Sequence, residues 1–133
     1  MDVAPKGMTR VGAMMCGACS LEAAYKHAFI AYAQKKRGGP SIPPSEEESK
    51  SCMENQAPGS PNFAILSFMS AFHGRTFGAL NTTRTKAMHK VDFPALEWPA
   101  AEPPRYKYPL DKNSAYNKEQ DRLSLADVRS KIS

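Results

Sequence analysis

Two short stretches of this sequence carry the residue types that most often do chemistry. One is Cys16-Gly17-Ala18-Cys19-Ser20, in which two thiols flank a glycine and an alanine. The other is Phe72-His73-Gly74-Arg75, which joins an aromatic ring, an imidazole, a flexible backbone position and a fixed cation. An aromatic face stacks on planar rings, and a guanidinium group offers a rigid fork for a carboxylate. These stretches are therefore the candidate functional regions of the chain.

The cysteine turn has the form of an anion site. A glycine-rich turn that leads into a helix exposes unpaired N–H groups at the positive end of the helix dipole, a setting suited to phosphate. Gly17 permits close approach to the backbone, and Ser20 is placed to cap the helix or to donate to a phosphate oxygen. Many helices begin this way without binding a ligand, so the pattern by itself is weakly specific.

The two thiols of the turn admit three interpretations. A redox dithiol needs a β-α context, which the helix after Cys19 supplies only in part. A metal or iron–sulfur site needs about four ligands, and Cys16 and Cys19 supply two, so such a site would be shared between two chains. On the residues alone, the simplest interpretation is a pair of buried thiols. Cys52 is interpreted as an ordinary thiol.

The second stretch also has plain structural alternatives. Phe72 fits equally well as a core residue at the end of a strand. His73 is then a histidine hydrogen-bonded by the backbone, and Arg75 is a partner in a surface salt bridge. His27 and His89 are assigned no role. No Ser/His/Asp set, Walker loop or pair of catalytic carboxylates can be assigned in the sequence.

The element expected to position the second stretch is an apolar strand. The run from Phe63 to Phe72 is nearly continuously apolar, which suits a strand covered on both faces in a parallel α/β sheet. Open α/β sheets bind ligands at the carboxyl ends of their strands, where Phe72-His73-Gly74-Arg75 falls. The chain then turns, over Thr76 to Leu80, into a short predicted helix. The predicted fold class is α/β.

The other segments are predicted from periodicity and proline content. Apolar residues at helical spacing predict a helix from Leu21 to Lys36, ended by Gly38-Gly39-Pro40. Residues 12–15, just before the cysteine turn, are expected to form a buried connection. Residues 38–61 are expected to form a surface connection with a brief helix from Glu46 to Met53. Residues 94–109 are expected to form an extended proline-rich crossing segment, along which Trp98, Tyr106 and Tyr108 pack. A last helix is predicted over 117–133.

The composition limits the class of protein. The chain has 133 residues, 41% of them hydrophobic, and a net charge of +5, which suits one domain. Its basic residues are scattered and are not interleaved with aromatics, so nucleic-acid binding is not expected. Three cysteines are an odd count and argue against a secreted disulfide framework. No apolar run reaches membrane-spanning length, and residues 1–10 lack the features of a targeting peptide.

The motifs resemble those of class III pyridoxal-phosphate-dependent aminotransferases, and within that family the 4-aminobutyrate aminotransferases of animal mitochondria. The matching stretches are APKGM, MCGACS, CMENQAPGSPNFAILSFMSAFHGRT, KAMHKVDFPALEWP and PRYKYPL, which together cover most of residues 4–110. Ornithine and acetylornithine aminotransferases share the H-G-R-T region, but the C-G-x-C turn and N-Q-A-P-G favour the 4-aminobutyrate enzymes. The resemblance implies that residues 1–133 are one partial domain, an incomplete piece of the large cofactor-binding domain of a fold-type I transferase.

The resemblance also implies roles for individual residues. In the family, the glycine and its neighbour in the C-G-x-C turn hold the cofactor phosphate, which assigns Gly17 and Ala18. The neighbour is usually serine, so the missing hydroxyl at Ala18 is expected to weaken phosphate binding. By the same resemblance, Phe72 stacks on the pyridine ring, His73 lies beside it, and Arg75 binds the carboxylate of the substrate.

In the animal enzymes the two cysteines of the turn ligate a [2Fe–2S] cluster shared across a homodimer, which assigns Cys16 and Cys19. The implied reaction transfers the amino group of 4-aminobutyrate to 2-oxoglutarate in the mitochondrial matrix, a step of 4-aminobutyrate catabolism. The family's Schiff-base lysine and the acidic partner of the pyridine nitrogen have no counterpart here, since Lys86 and Lys90 lie in the wrong context.

We therefore expect no catalytic residue in this chain and no activity of the chain by itself. Three alternatives stay open. The first is a non-catalytic truncated isoform that pairs with a full-length subunit. The second is a fragment of an ornithine- or acetylornithine-type aminotransferase. The third is an independent C-x-x-C redox or metal protein, which leaves the match around Phe63 to Thr76 unexplained.

Overall fold

The computed structural model describes residues 5–132 and has an α/β architecture. Two short strands pair in parallel, and helices of very different lengths pack around them. In chain order the elements are α1 (Gly17–Arg37), α2 (Glu46–Ser51), β1 (Ser67–Phe68), α3 (Phe77–Thr82), β2 (Ala100–Ala101) and α4 (Ser114–Ile132), with 3-10 turns at Cys52–Glu54, Ala87–His89 and Asp111–Asn113. The α/β prediction is confirmed.

Helix α1 confirms the helix predicted from Leu21 to Lys36, but it begins four residues earlier, inside the cysteine turn. Cys16 is the N-cap, and its Sγ accepts a hydrogen bond from the Cys19 N–H at 3.4 Å. The sequence analysis placed Ser20 to cap the helix, but Ser20 does not do so. Its hydroxyl donates instead to the Cys16 carbonyl at 3.1 Å. A thiol therefore replaces the usual hydroxyl or carboxylate as the capping group.

The other end of α1 also follows the sequence. Gly38 adopts the left-handed conformation (φ 108°), and its N–H reaches the carbonyls of Gln34 and Lys35. A basic run, Lys35 to Arg37, occupies the last turn, where the helix dipole favours positive charge. The helix is thus fixed at both ends by local chemistry.

The central strand predicted from Phe63 to Phe72 is far shorter than expected. Only Ser67 and Phe68 form β1, in register with Ala100 and Ala101 of β2. Ser67 is buried, whereas Phe68 keeps 40% of its surface exposed, so the expectation of cover on both faces is wrong. A strand extends only as far as its partner, and prolines on either side of β2 lack the N–H needed to continue pairing.

Strand β2 lies within the proline-rich segment, where the sequence had indicated only extended chain. Helix α4 holds this segment through polar contacts. The Ser124 hydroxyl donates to the Glu102 carbonyl at 2.7 Å, and the Glu102 N–H donates to Asp127 at 2.8 Å. Further along, the side chain of Asn117 bonds both the N–H and the carbonyl of Lys107, at 2.9 and 3.0 Å. Tyr108, expected to pack on this segment, is 76% exposed.

An aromatic cluster joins α1 to the strands. Trp98, just before β2, meets Tyr25 and Phe29 of α1 with ring centroids 5.8 Å apart in both pairs. Phe63 stacks on Phe29 at 6.2 Å. These contacts fix the face of α1 that looks toward the sheet.

The short helices agree with the sequence, whereas the entry segment does not. Helix α2 starts with a capping box between Ser45 and Glu48, and α3 and α4 form where helices were predicted. Residues 12–15 are exposed, with Met15 at 92%, so the buried connection expected there is wrong. Within residues 5–132, no helix combines the length and apolar character needed to cross a membrane.

Candidate functional site

A pocket of about 650 Å³ lies between the start of α1 and the segment that links β1 to α3. Both stretches singled out from the sequence contribute to its walls. The lining residues are Gly17, Ala18, Leu21, Phe72, His73, Gly74, Arg75 and Thr76. The structure therefore brings together all five residues predicted to bind cofactor or substrate, across more than fifty residues of sequence.

One wall of the pocket is the N-terminus of α1, with Gly17 and Ala18 in its first turn. Nothing lies within 4 Å of the position a Cβ would take at Gly17, so the backbone there is open to a ligand. Helix N-termini present unpaired N–H groups and a positive dipole to anions. At 21 residues α1 is long enough to develop that dipole in full.

The two walls meet at Gly74. Its φ of +116° lies in the region that favours glycine, and a Cβ there would come within 2.5 Å of the Ala18 Cβ. Only glycine therefore allows the backbone of the second wall to approach the first turn of α1 this closely. The small side chain of Ala18 is the other half of this contact.

Phe72 presents its ring to the pocket instead of the core. Its side chain is 54% exposed, so the alternative of a core residue is wrong. The ring of His89 packs edge-on against Phe72, with centroids 5.7 Å apart and planes at 65°. The sequence analysis had assigned His89 no role, and no local signal could have revealed this contact with a residue seventeen positions away.

His73 and Arg75 flank the glycine. The His73 N–H donates to the Thr83 hydroxyl at 2.9 Å, and that hydroxyl donates to the Gly74 carbonyl at 2.7 Å. Thr83 is fully buried, so it fixes the backbone of the turn from behind. Arg75 is exposed and has no ion-pair partner within the part of the chain that the structure describes. The salt-bridge alternative for Arg75 is thus not seen, and its guanidinium group is available to an anion.

Glu22 of α1 is a residue that the sequence analysis missed. Its Oε1 accepts three hydrogen bonds, from the Thr76 hydroxyl at 2.6 Å and from the N–H groups of Gly78 and Ala79 at 2.7 and 2.9 Å. Burial acts to raise the pKa of Glu22, but these bonds outweigh it and hold the pKa below that of an ordinary glutamate. Nothing near Glu22 in the sequence marks a carboxylate that caps another helix.

The two cysteines of the turn lie side by side at the mouth of α1. Their Sγ atoms are 3.4 Å apart, and both thiols are free. Cys16 is exposed and Cys19 is half-buried, so the interpretation as two buried thiols is wrong. The Cys19 N–H lowers the pKa of the Cys16 thiol, whereas hydrogen bonding of the Cys19 thiol to Cys16 raises the pKa of Cys19.

Metal ligands other than these two thiols are not gathered nearby. Among residues 5–132, no group of three or more histidine, cysteine or acidic side chains is placed to hold a metal ion. Cys52 donates its S–H to the Ser49 carbonyl at 3.3 Å, near the end of α2. Within residues 5–132, Cys16 and Cys19 thus supply two adjacent thiols, fewer than the four ligands that a metal or iron–sulfur site needs.

Comparison with known proteins places this geometry in a family. The family model described as "Aminotransferase class-III" matches residues 1–132. The chain belongs to the class III aminotransferases, a family whose members use pyridoxal phosphate.

The chain is similar to several curated 4-aminobutyrate aminotransferases. It is 52% identical to the probable mitochondrial 4-aminobutyrate aminotransferase of Caenorhabditis elegans over 99% of its own length and 27% of that protein. It is 52% identical to the 4-aminobutyrate aminotransferase of Dictyostelium discoideum and 48% identical to the human mitochondrial 4-aminobutyrate aminotransferase, over 99% of its own length and 26% of each relative. The chain thus spans about a quarter of the length of these relatives.

Solved structures support the same fold. The lysine aminotransferase of M. tuberculosis superposes with a TM-score of 0.64 at 24% identity, over 90% of this chain and 23% of that protein. A mutant of M. tuberculosis Rv3290c altered at E243 gives the same values. The expectation of a partial piece of an aminotransferase fold is confirmed.

Proposed function

We propose that this chain is part of the cofactor-binding domain of a 4-aminobutyrate aminotransferase, which transfers an amino group from 4-aminobutyrate to 2-oxoglutarate. The observation that carries the proposal is the pocket formed jointly by the α1 N-terminus and the Phe72 to Arg75 segment. Identities of 48–52% to 4-aminobutyrate aminotransferases support this substrate class over others in the family. An ornithine- or acetylornithine-type fragment is the alternative substrate assignment.

The pocket suits pyridoxal phosphate. A phosphate group suits the pocket wall at Gly17 and Ala18, because both residues lie in the first turn of α1 and the space beside Gly17 is open. The exposed ring of Phe72 provides a stacking face for a pyridine ring, with His73 beside it. Arg75 offers its unpaired guanidinium group to a substrate carboxylate.

These residues bind and orient the reactants. Gly17 and Ala18 bind the phosphate of the cofactor, Phe72 orients its pyridine ring, and Arg75 selects substrates that carry a carboxylate. Pyridoxal phosphate, when bound, supplies the electron sink that such amino transfer requires. No lysine lines the pocket among the described residues, so we propose that the 133-residue polypeptide by itself does not turn over substrate.

The paired thiols support a further part of the proposal. Cys16 and Cys19 would together supply two of the four ligands of one [2Fe–2S] cluster. The other two ligands would come from a second copy of the chain in a homodimer. Two adjacent thiols, one exposed and one half-buried, fit half of such a site, and the described residues around them offer no third ligand. Iron content after anaerobic reconstitution tests this, and an equal iron content in Cys16→Ser contradicts it.

Two other proposals concern location and assembly. Relatives from Caenorhabditis elegans and human are named mitochondrial, which supports the mitochondrial matrix as the site of action. The exposed half-site at Cys16 also favours pairing with a full-length subunit as a second candidate function. Co-purification of the tagged chain with a full-length 4-aminobutyrate aminotransferase tests that candidate.

The cofactor assignment is tested with pyridoxamine 5'-phosphate, which lacks the aldehyde and does not react with surface lysines. We expect saturable binding by the full chain, and Phe72→Leu should raise the Kd about tenfold, because it removes the stacking face. The same samples, assayed with 4-aminobutyrate and 2-oxoglutarate, should show no turnover.

Phe77→Leu is the matched control. Phe77 is 56% exposed, close to the value for Phe72, but it packs on Phe93 and does not line the pocket. Equal affinities in the two variants, or no binding by the parent chain, would overturn the cofactor assignment. Measurable turnover would overturn the proposed inactivity of the chain.

A further inference from the structure

The pocket is built from two elements that are distant in sequence, so something must hold them in register. Glu22 lies 54 residues from Thr76, yet its Oε1 accepts the Thr76 hydroxyl at 2.6 Å. The same oxygen accepts the N–H groups of Gly78 and Ala79, at the start of α3. One carboxylate of α1 therefore caps α3, whose own N-cap residue makes no side-chain capping bond.

The space that admits this carboxylate is specific. A Cβ at Gly78 would lie 2.6 Å from Glu22 Oε2, so any side chain at residue 78 would require the Glu22 carboxylate to shift from this position. Gly78 and Ala79 are buried, which shields the bonds from water and strengthens them. A charged acceptor with three short bonds is among the stronger polar contacts a protein makes.

A second contact lies one turn further along α1. The Tyr25 hydroxyl and the fully buried Thr82 hydroxyl are 2.7 Å apart. Together with the Ala18–Gly74 approach, these bonds join α1 to the chain from Gly74 to Thr82, which includes Arg75 and directly follows Phe72 and His73. Glu22 is the central and most highly bonded point of this junction.

We propose that Glu22 is a positioning residue, which holds the Phe72–Thr76 wall at the distance from the α1 N-terminus that cofactor binding requires. This inference rests on the proposed function. Glu22 itself does not line the pocket, so it acts through Thr76 and the start of α3 and not by touching a ligand. Its loss would let the second wall move, although no residue that lines the pocket would have been changed.

The test uses the full chain and two readouts. The first is amide hydrogen exchange at Gly78 and Ala79, measured by NMR beside the amides of α4. The second is the Kd for pyridoxamine 5'-phosphate. In Glu22→Ala we expect faster exchange confined to residues 72–79 and a Kd raised by roughly tenfold to a hundredfold, since small displacements of positioning groups have effects of that size.

Two further variants separate positioning from general destabilisation. Glu22→Gln keeps an oxygen acceptor and should restore much of the affinity, which guards against a simple folding failure of Glu22→Ala. Glu119→Gln changes an exposed carboxylate of α4, paired with Arg122, and should alter neither readout. Unchanged exchange at Gly78 and Ala79 in both Glu22 variants would overturn the inference, as would uniform faster exchange that includes α4.

The outcomes also distinguish this inference from the proposed function. A parent chain that shows no binding of pyridoxamine 5'-phosphate overturns the proposed function. If exchange at Gly78 and Ala79 nevertheless rises locally in Glu22→Ala, the result still supports the role of Glu22 in positioning the wall, even though the proposed function has failed. Binding by the parent chain with an unchanged Kd in Glu22→Ala overturns the positioning role and leaves the proposed function intact.

Discussion

The junction of α1 with α3 and the edge around β1 differ sharply in how they are held. At the junction, the five residues from Gly78 to Thr82 are all buried, and side-chain hydrogen bonds fix both ends of the contact. Around β1, two residues pair with β2, while Phe68 and Met69 keep 40% and 38% of their surface exposed. The candidate site thus lies against the more deeply buried of these two regions, the junction of α1 with α3.

The largest expected effect tests the close approach at the junction. Gly74→Ala places a Cβ 2.5 Å from that of Ala18, at a φ of +116°. Strain and overpacking together should lower the free energy of unfolding by about 3 kcal/mol. Urea denaturation followed by circular dichroism measures this loss.

Gly39→Ala provides the control for that experiment. Gly39 also has a positive φ, +136°, but nothing lies within 4 Å of a Cβ built there. It therefore reports the backbone strain alone, and its cost should be about 1 kcal/mol. Equal losses of unfolding free energy in Gly74→Ala and Gly39→Ala would show that the contact between Ala18 and Gly74 is not tight. The junction would then be no better packed than the edge around β1.

An intermediate effect concerns pH. Because the pKa of Glu22 is lower in the folded chain than in an unfolded one, its contribution to stability is complete above the ordinary glutamate pKa and is lost as pH falls through the folded value. Stability should therefore fall as the pH drops below the ordinary glutamate pKa, and fall less in Glu22→Gln. The nearby Cys19 thiol, whose pKa is raised chiefly by its hydrogen bond with Cys16, stays neutral under these acidic conditions.

The matched control for the pH experiment is Glu119→Gln. The pKa of Glu119 is also lowered, chiefly by its hydrogen bonds with Arg122, but the pair is exposed. Solvent screens such pairs, so its removal should change the pH dependence less than removal of Glu22 does. A larger change in Glu119→Gln would contradict the central place given to Glu22.

The smallest effect is expected at the edge. Met69→Ala removes a side chain that is 38% exposed and lies beside β1, so it should cost about 1 kcal/mol or less, below the range for a buried methionine. Urea denaturation checks this beside Gly74→Ala. A loss as large as that of Gly74→Ala would mean that the edge is packed as firmly as the junction.

The sequence predicted the helices well because their signals are local. The glycine at 38 and the basic last turn of α1 are readable within a few residues, as is the capping box of α2. The length of the strand predicted from Phe63 to Phe72 was overestimated. An apolar run indicates that a segment is suited to a buried strand, but it does not indicate whether a partner strand lies beside it. The extent of β1 depends on β2, more than thirty positions away.

The same division applies to the site. Residues that line the pocket were found because aromatic, cationic and glycine positions cluster in two short stretches. Glu22 and His89 were missed because each acts on a segment far along the chain, with no feature in its own neighbourhood. Motifs therefore located the walls of the pocket, and only the structure identified what holds them.

The absence of a side chain at residue 78 has a consequence for sequence variation. The carboxylate of Glu22 occupies the volume that any larger residue at 78 would need. A side chain at 78 would displace the Glu22 carboxylate from the start of α3. The choice of residue at 78 therefore bears directly on how α3 is capped.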